Sequence, residues 1–262
     1  MARPIVLVHG MWCTGAVFDR LVGGLKPRGH TCLTPTLPAH ERGVVHAEVG
    51  NKSLREYLSF LEDYVRQQNF SEPPILLGHS MGGLLAQQLA ARIQPFALVL
   101  LTPAPCAGTF GIRWANLVAF FRVFLGWGWW RRPNRLSRGR ASTSLFNGVA
   151  PEKHRAQYDS LVDESGRALL EMGFWFLDGA RAAAVDAAAI RCPVYAVSCG
   201  NDRITPAVVV RKLAMQYPQA SLRHYPDRGH WLLDDADTDE MTAEIANWLQ
   251  GQEAKAAGRG RG

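Results

Sequence analysis

Three short segments of the 262-residue chain hold the residue types of nucleophilic acyl chemistry: GHSMGG at 78–83, GNDRITP at 200–206 and DRGHW at 227–231. The first follows the apolar run ILL and places Ser80 between Gly78 and Gly82 in a G-x-S-x-G pattern. Where a strand turns sharply into a helix the chain doubles back closely, so the positions flanking the serine must be small. Such a turn directs the hydroxyl away from the sheet and sets it at a helix N-terminus, whose dipole favours developing negative charge. A serine hydroxyl is a weak nucleophile at neutral pH. It needs a base, and the base needs an acid to fix its tautomer.

Asp202 follows the apolar run VYAVSCG, and His230 follows SLRHYP. Both therefore fall in loops at the C-terminal ends of expected strands, in the chain order Ser, Asp, His. Each residue alone also has a purely structural reading: Ser80 as a helix N-cap in a glycine-rich turn, Asp202 as a turn residue, His230 as a satisfied loop histidine. Their joint occurrence at the right places favours chemistry. The fourth requirement is a pair of donors for an oxyanion. The first apolar run ends in HGMW, so the backbone N–H of Met11 can face the site from one side and that of Met81, after the serine, from the other. Met11, Trp12 and Cys13 are expected to line the pocket, His9 to brace the loop, and His79 to play a structural part.

The elements that must position these groups are legible as short apolar runs alternating with longer helical patterns. IVLVHG, HTCLTP, ILLGHS, ALVLLTP, VYAVSCG and SLRHYP read as strands buried on both faces. SLREYLSFLEDYV opens with a capping box, Ser53 and Glu56, and MGGLLAQQLAARI, PAVVVRKLAMQY and DEMTAEIANWL read as further helices. The fold class expected is α/β: a doubly wound, mostly parallel sheet of about six strands. The alternation fails between 106 and 190, which we expect to be an inserted helical cap over the C-terminal edge of the sheet. The core then comprises 1–105 and 191–250, and 251–262 reads as a disordered polar tail.

In this order and spacing, VLVHG, GHSMGG, GNDRITP and GHW resemble the α/β-hydrolase superfamily, in a short form similar to the plant methylesterase and hydroxynitrile lyase branch. The resemblance implies a triad of Ser80, Asp202 and His230 with Met11 and Met81 as oxyanion donors. Haloalkane dehalogenases and epoxide hydrolases carry an aspartate at the elbow, where this chain has Ser80. Plant hydroxynitrile lyases carry a lysine after the triad histidine, where this chain has Trp231. Hydrolysis of a carboxylic ester through an acyl-enzyme is the expected activity. Thioester, lactone or carbon–carbon bond hydrolysis and perhydrolysis remain alternatives using the same triad, and a catalytically weak ligand-binding protein on the same scaffold is another.

Hydrophobic residues at 47% and charged residues at 20% are those of a globular protein. The net charge of +6 comes with local arginine clusters rather than a general basic surface, so no nucleic-acid partner is expected. The five scattered cysteines include no CxxC pair, which points to neither disulfides nor a zinc site; no metal or cofactor is expected. The N-terminus lacks a signal-peptide pattern, and the expected location is cytoplasmic. The 106–190 stretch is dense in aromatics, with Trp114, Phe120, Phe121, Phe124, Trp127, Trp129, Trp130, Phe174, Trp175 and Phe176. They favour a small, hydrophobic acyl or aromatic substrate, with Trp12, Trp130, Trp175 and Trp231 as candidate binding residues. The segment 114–130 is too short for a membrane span and is broken by Asn116, Arg122 and two glycines. The arginines from Arg131 to Arg140 read either as a solvated face or, beside WGWW, as an element in weak contact with an anionic membrane.

Overall fold

The computed structural model describes residues 2–43, 47–109, 126–235 and 237–259. The first half of the chain supplies β1 (Ile5–Val8), α1 (Asp19–Leu25), β2 (Cys32–Leu33), α2 (Leu54–Gln67), β3 (Ile75–His79), α3 (Met81–Ile93) and β4 (Ala97–Leu101). An insertion carries β5 (Pro133–Asn134), α4 (His154–Ser160), β6 (Glu164–Ser165) and α5 (Gly166–Gly173). The chain then returns through β7 (Val194–Cys199), α6 (Ala207–Ala214), β8 (Ser221–Tyr225) and α7 (Thr238–Arg259).

Six strands form one sheet in the order β2-β1-β3-β4-β7-β8, every neighbouring pair parallel. Continuous apolar runs suit this because both faces are covered, and the period-2 alternation of side chains sorts each run between them. Ile5, Leu7, Ile75, Leu77, Val99 and Leu101 pack with Leu21 and Leu25 of α1 and Ile245 and Leu249 of α7. Val6, Val8, Leu76, Leu98 and Leu100 pack on the other face with residues of α2, α3 and α6. The chain runs outward from β1 to β2 and then comes back to pair β3 with β1, so the winding direction reverses between β1 and β3. Loops at such a reversal diverge and leave a crevice beyond the strand ends. The HGMW loop and Ser80 flank it.

At the start of α2 the Ser53 hydroxyl accepts from the Arg55 N–H and the Glu56 carboxylate accepts from the Ser53 N–H at 2.8 Å, the reciprocal cap expected from the sequence. Glu171 of the insertion adds a third hold, accepting from the Leu54 N–H at 2.7 Å and the Ser53 hydroxyl at 2.8 Å.

The insertion is not purely helical. Its short helices are joined by a two-residue antiparallel ribbon in which Pro133 faces Ser165 and Asn134 faces Glu164. It meets the loops after three strands: Val162 N–H donates to the Trp12 carbonyl at 2.8 Å, the Asn147 amide donates to the Asn201 carbonyl at 2.6 Å, and Gly148 packs on Gly229. Trp114, Phe120, Phe121 and Phe124 lie outside the described residues. Residues after Gln250, expected to be disordered, instead continue α7 to Arg259. The alanines, Gln252, Glu253 and Lys255 are strong helix formers, and that local preference decides the matter where low hydrophobicity alone suggested disorder. Among the described residues no helix is long and apolar enough to cross a membrane.

Candidate active site

Ser80 sits at the junction of β3 and α3 with φ 53° and ψ −122°, a conformation that costs a non-glycine residue on the order of 1–3 kcal/mol. The turn is tight enough that a Cβ on Gly78 would run into the Gly82 backbone, and one on Gly82 into the Val8 and His9 carbonyls. The Ser80 N–H donates to the Leu101 carbonyl at 3.1 Å, and the Ser80 carbonyl accepts from Gly83 and Ala104 N–H groups at 2.9 and 2.8 Å. The strain is therefore held by the strands and helix on either side.

Asp202, after β7, and His230, after β8, meet in the loops at the same end of the sheet. His230 Nδ1–H donates to Asp202 Oδ2 at 2.8 Å, both side chains being essentially inaccessible to solvent. Asp202 Oδ1 accepts from the backbone N–H groups of Ile204 and Thr205, each at 2.7 Å. The Thr205 hydroxyl lies 2.8 Å from Asp202 Oδ2, 3.0 Å from the Thr102 carbonyl and 3.3 Å from His230 Nδ1. With its Nδ1 side committed, the histidine presents Nε2, which is buried and has no hydrogen-bond partner among the described residues, Ser80 included.

His79 reaches across to this arm. Burial, then the nearby His230, push its pKa down to about 3, so the ring is neutral, and its Nε2–H donates to the His230 carbonyl at 3.1 Å. The structural part expected of His79 is thus to hold the backbone of His230. Thr205 was not foreseen; its signal was in GNDRITP, where a hydroxyl three residues after an aspartate can close onto the carboxylate.

The other side of the crevice is the loop after β1. His9 is fully buried, and burial with the neighbouring His40 pushes its pKa down to about 3. Its Nε2 accepts from the Leu37 N–H at 3.0 Å, which leaves Nδ1–H to donate to the Gly10 carbonyl at 2.9 Å. His9 therefore braces the loop, as expected. The N–H groups of Met11 and Met81 meet no acceptor among the described residues.

Of the candidate binding residues, Trp12 is buried in the β1 loop at φ 61°, its indole N–H pointing at Asn134 Oδ1 and carbonyl oxygen, each at 3.2 Å. Trp231 is buried edge-on against Phe146, ring centroids 5.0 Å apart, and with Cys13, Thr14 and Val17 lines a cavity of about 150 Å³. Trp175 is half-buried against the core. Trp130 is half-buried and stacks edge-on with Trp127 and Trp129. It lines a groove of about 440 Å³ with Trp129, Leu170, Phe174 and Leu177. That groove is lined by no residue of the Ser80, Asp202, His230 set. Burial pushes the Cys13 thiol up, so it stays protonated. Among the described residues no group of three or more His, Cys, Asp or Glu side chains could hold a metal ion.

A serine in a tight strand-to-helix turn at a winding reversal, with an aspartate and a histidine in the loops after later strands, fits the architecture of one large family. Residues 5–244 match the alpha/beta hydrolase family, and the chain belongs to it. The magnesium-chelatase 30 kDa subunit of Rhodobacter capsulatus is 27% identical over a 273-residue alignment covering 94% of this chain and 87% of that protein. A carbendazim hydrolyzing esterase of a Nocardioides species is 32% identical over 93 residues, 34% of this chain and 36% of that protein. Among solved structures, a methylesterase from Arabidopsis superposes with a TM-score of 0.72 at 13% identity, covering 95% of this chain and 99% of that one.

Proposed function

We propose that the protein is a serine carboxylesterase acting on a small hydrophobic ester. The observation that carries this is the polarity of His230: its Nδ1–H is committed to Asp202 at 2.8 Å, while the buried Nε2 keeps its lone pair. Asp202, held by two backbone N–H groups and a hydroxyl, accepts from that Nδ1–H and fixes the tautomer. As the Ser80 Oγ attacks the ester carbonyl carbon, its proton passes to Nε2. The carbonyl oxygen becomes the oxyanion, met by the N–H groups of Met11 and Met81. Collapse of the tetrahedral species breaks the bond to the leaving alkoxide, which takes the proton from His230. Water then repeats the sequence on the acyl-enzyme, releasing the acid and restoring the Ser80 hydroxyl.

The names of the Arabidopsis methylesterase and the Nocardioides esterase support ester substrates. The density of aromatics in the insertion supports an apolar acyl or aromatic group. A second reading, ligand binding without useful turnover, is favoured by one observation: the relative aligned over 94% of this chain is named as a chelatase subunit. One experiment separates the two. Purified protein is assayed on p-nitrophenyl esters of increasing acyl length and labelled with a fluorophosphonate, with Ser80→Ala as control. Turnover and labelling lost together in Ser80→Ala are expected. Absence of both in the wild-type protein would leave the binding reading.

A further inference from the structure

Glu164 of β6 has its carboxylate wholly buried, and it is surrounded by donors. His40 Nε2 lies 3.0 Å and the Trp12 N–H nitrogen 3.4 Å from Oε2; the Tyr57 hydroxyl lies 2.9 Å and the Ser165 N–H nitrogen 2.7 Å from Oε1. The other ring nitrogen of His40 lies 3.0 Å from the Pro38 carbonyl. A carbonyl and a carboxylate can only accept, so both nitrogens of His40 must carry protons and the ring is an imidazolium. Burial opposes both charges, yet each group stabilises the other's charged form: His40 is held above the ordinary histidine value and Glu164 below the ordinary carboxyl value.

An ion pair taken out of water seldom stabilises a fold over a well-packed apolar pair, so its place in the structure calls for a use. That place is the loop after β1. The peptide unit that carries the Met11 N–H is the one whose carbonyl belongs to Gly10, and His9 binds that carbonyl at 2.9 Å. The next unit, between Met11 and Trp12, is bound by Glu164 through the Trp12 N–H. The unit after that is bound by Val162 N–H through the Trp12 carbonyl at 2.8 Å. Three consecutive peptide planes are pinned, and the middle one keeps Trp12 at φ 61°, where an L-residue rests only if its surroundings hold it. Two of the three pins come from the insertion.

We propose that Glu164, with His40 and Tyr57 locking its carboxylate, is a positioning residue for ester hydrolysis, fixing the loop that aims the Met11 N–H at the oxyanion; this rests on the role proposed above for Met11. Only a carboxylate accepts from all four donors. In Glu164→Gln one oxygen becomes an NH₂ facing two donors, so the hold on Trp12 or on Tyr57 and Ser165 fails while shape is kept.

The test compares wild-type, Glu164→Gln and Glu164→Asp proteins on a p-nitrophenyl ester and with a trifluoromethyl ketone, whose hemiketal oxyanion draws on the same donors. Removing an oxyanion donor outright costs about 100- to 1000-fold. A misaimed one is expected to lower kcat about 10- to 100-fold with KM within about three-fold, and to weaken the ketone by the same factor as kcat. A purely structural Glu164 would lower the melting temperature and leave the kcat of the folded fraction and the ketone affinity alone. Should Glu164→Gln lack a cooperative melt, Glu164→Asp carries the test: it keeps the charge beside His40 but is one methylene short of reaching the Trp12 N–H as well. Wild-type kcat and ketone affinity in folded Glu164→Asp, with or without the same result in Glu164→Gln, would overturn the proposal. A wild-type protein with neither turnover nor fluorophosphonate labelling would overturn the esterase reading instead, so the two failures are distinguishable.

Discussion

The Asp202–His230 arm of the candidate site is built within a short span of chain, whereas the loop facing it is held from across the whole of it. Asp202, Thr205 and His230 lie within 28 residues of one another, and the carboxylate takes two of its donors from its own loop. The Met11 loop is held by residues as far as 152 positions away, in an insertion rather than in the sheet. The first arm closes on itself through Asp202, Thr205 and His230, and the insertion touches it only at neighbouring residues, Asn147 on Asn201 and Gly148 on Gly229. The second depends on the insertion being docked. An insertion that moved would thus be expected to disturb the Met11 loop more than the Asp202–His230 pair, which gives the comparison experimental edges.

The largest effect belongs to the local arm. His230→Ala is expected to reduce kcat/KM by about 10⁴-fold or more and to abolish fluorophosphonate labelling at Ser80; Asp202→Asn is expected to cost about 10⁴-fold by favouring the wrong tautomer. Neither should undock the insertion. Near-wild-type rates in either variant would place the acid or base elsewhere. Glu164→Gln, by contrast, should lower kcat and leave the rate of labelling by an agent that does not draw on the oxyanion donors nearly intact.

A second test uses acid. His79 braces the first arm and His9 the second, and both are buried neutral with pKa values pushed down to about 3 from 6.5. Below pH 6.5 the unfolded chain takes up protons that the folded one refuses, so stability present above that pH is lost as pH falls. The loss is about 1.4 kcal/mol per pH unit for each histidine. Two other groups bound this window. The stability Glu164 contributes, with a lowered pKa, is complete above its ordinary value of 4.5 and fails only as pH drops through its folded value. That of His40, with a raised pKa, is complete below 6.5 and fails as pH rises through its folded value. Urea midpoints between pH 6 and pH 5 should therefore fall steeply, and His79→Gln should reduce the slope by about half. A flat profile would mean that neither ring is held neutral.

Thr205 offers a smaller effect on the first arm. Thr205→Val keeps the shape and the backbone N–H but removes one hydrogen bond to a charged group, worth about 1.5 kcal/mol, or roughly ten-fold in kcat/KM. An unchanged rate would show that the two backbone donors alone suffice to fix Asp202.

What the sequence revealed follows the same division. The elbow, the six strands, the reciprocal cap of α2 and the order Ser80, Asp202, His230 are patterns within a few residues, and local steric rules write them plainly. Glu164 lies 124 residues from His40 and 107 from Tyr57, and no period or spacing connects them. The available signals were weak: a glutamate in LVDESG, between Asp163 and Ser165, and a histidine in LPAHE, between Ala39 and Glu41. The two-residue ribbon β5–β6 is too short to have a period at all. Elements and turns set by neighbouring residues were therefore legible, and contacts made by docking were not.

Effects confined to long substrates concern the aromatics of the insertion, where two tryptophans with the same sequence signal sit differently. Trp175 packs against the core, while Trp130 faces a groove of about 440 Å³ with Trp129, Leu170, Phe174 and Leu177. If that groove takes the acyl chain, Trp130→Ala should spare acetyl esters and penalise octanoyl esters. Each methylene of the substrate left in water rather than buried costs roughly 0.8 kcal/mol, so a grip on two or three carbons amounts to about ten-fold or more in kcat/KM. Trp175→Ala leaves a hole against the core instead. It should lower the melting temperature and depress short and long esters together, with a stability cost of up to about 3 kcal/mol for a side chain that is only half-buried. Trp127, 86% exposed and close in sequence to Arg131 and Arg132, serves as the internal control: on soluble esters its removal should change neither rate nor stability by more than about 0.5 kcal/mol. Should Trp130→Ala reduce acetyl and octanoyl esters equally, the groove lies off the acyl chain's path.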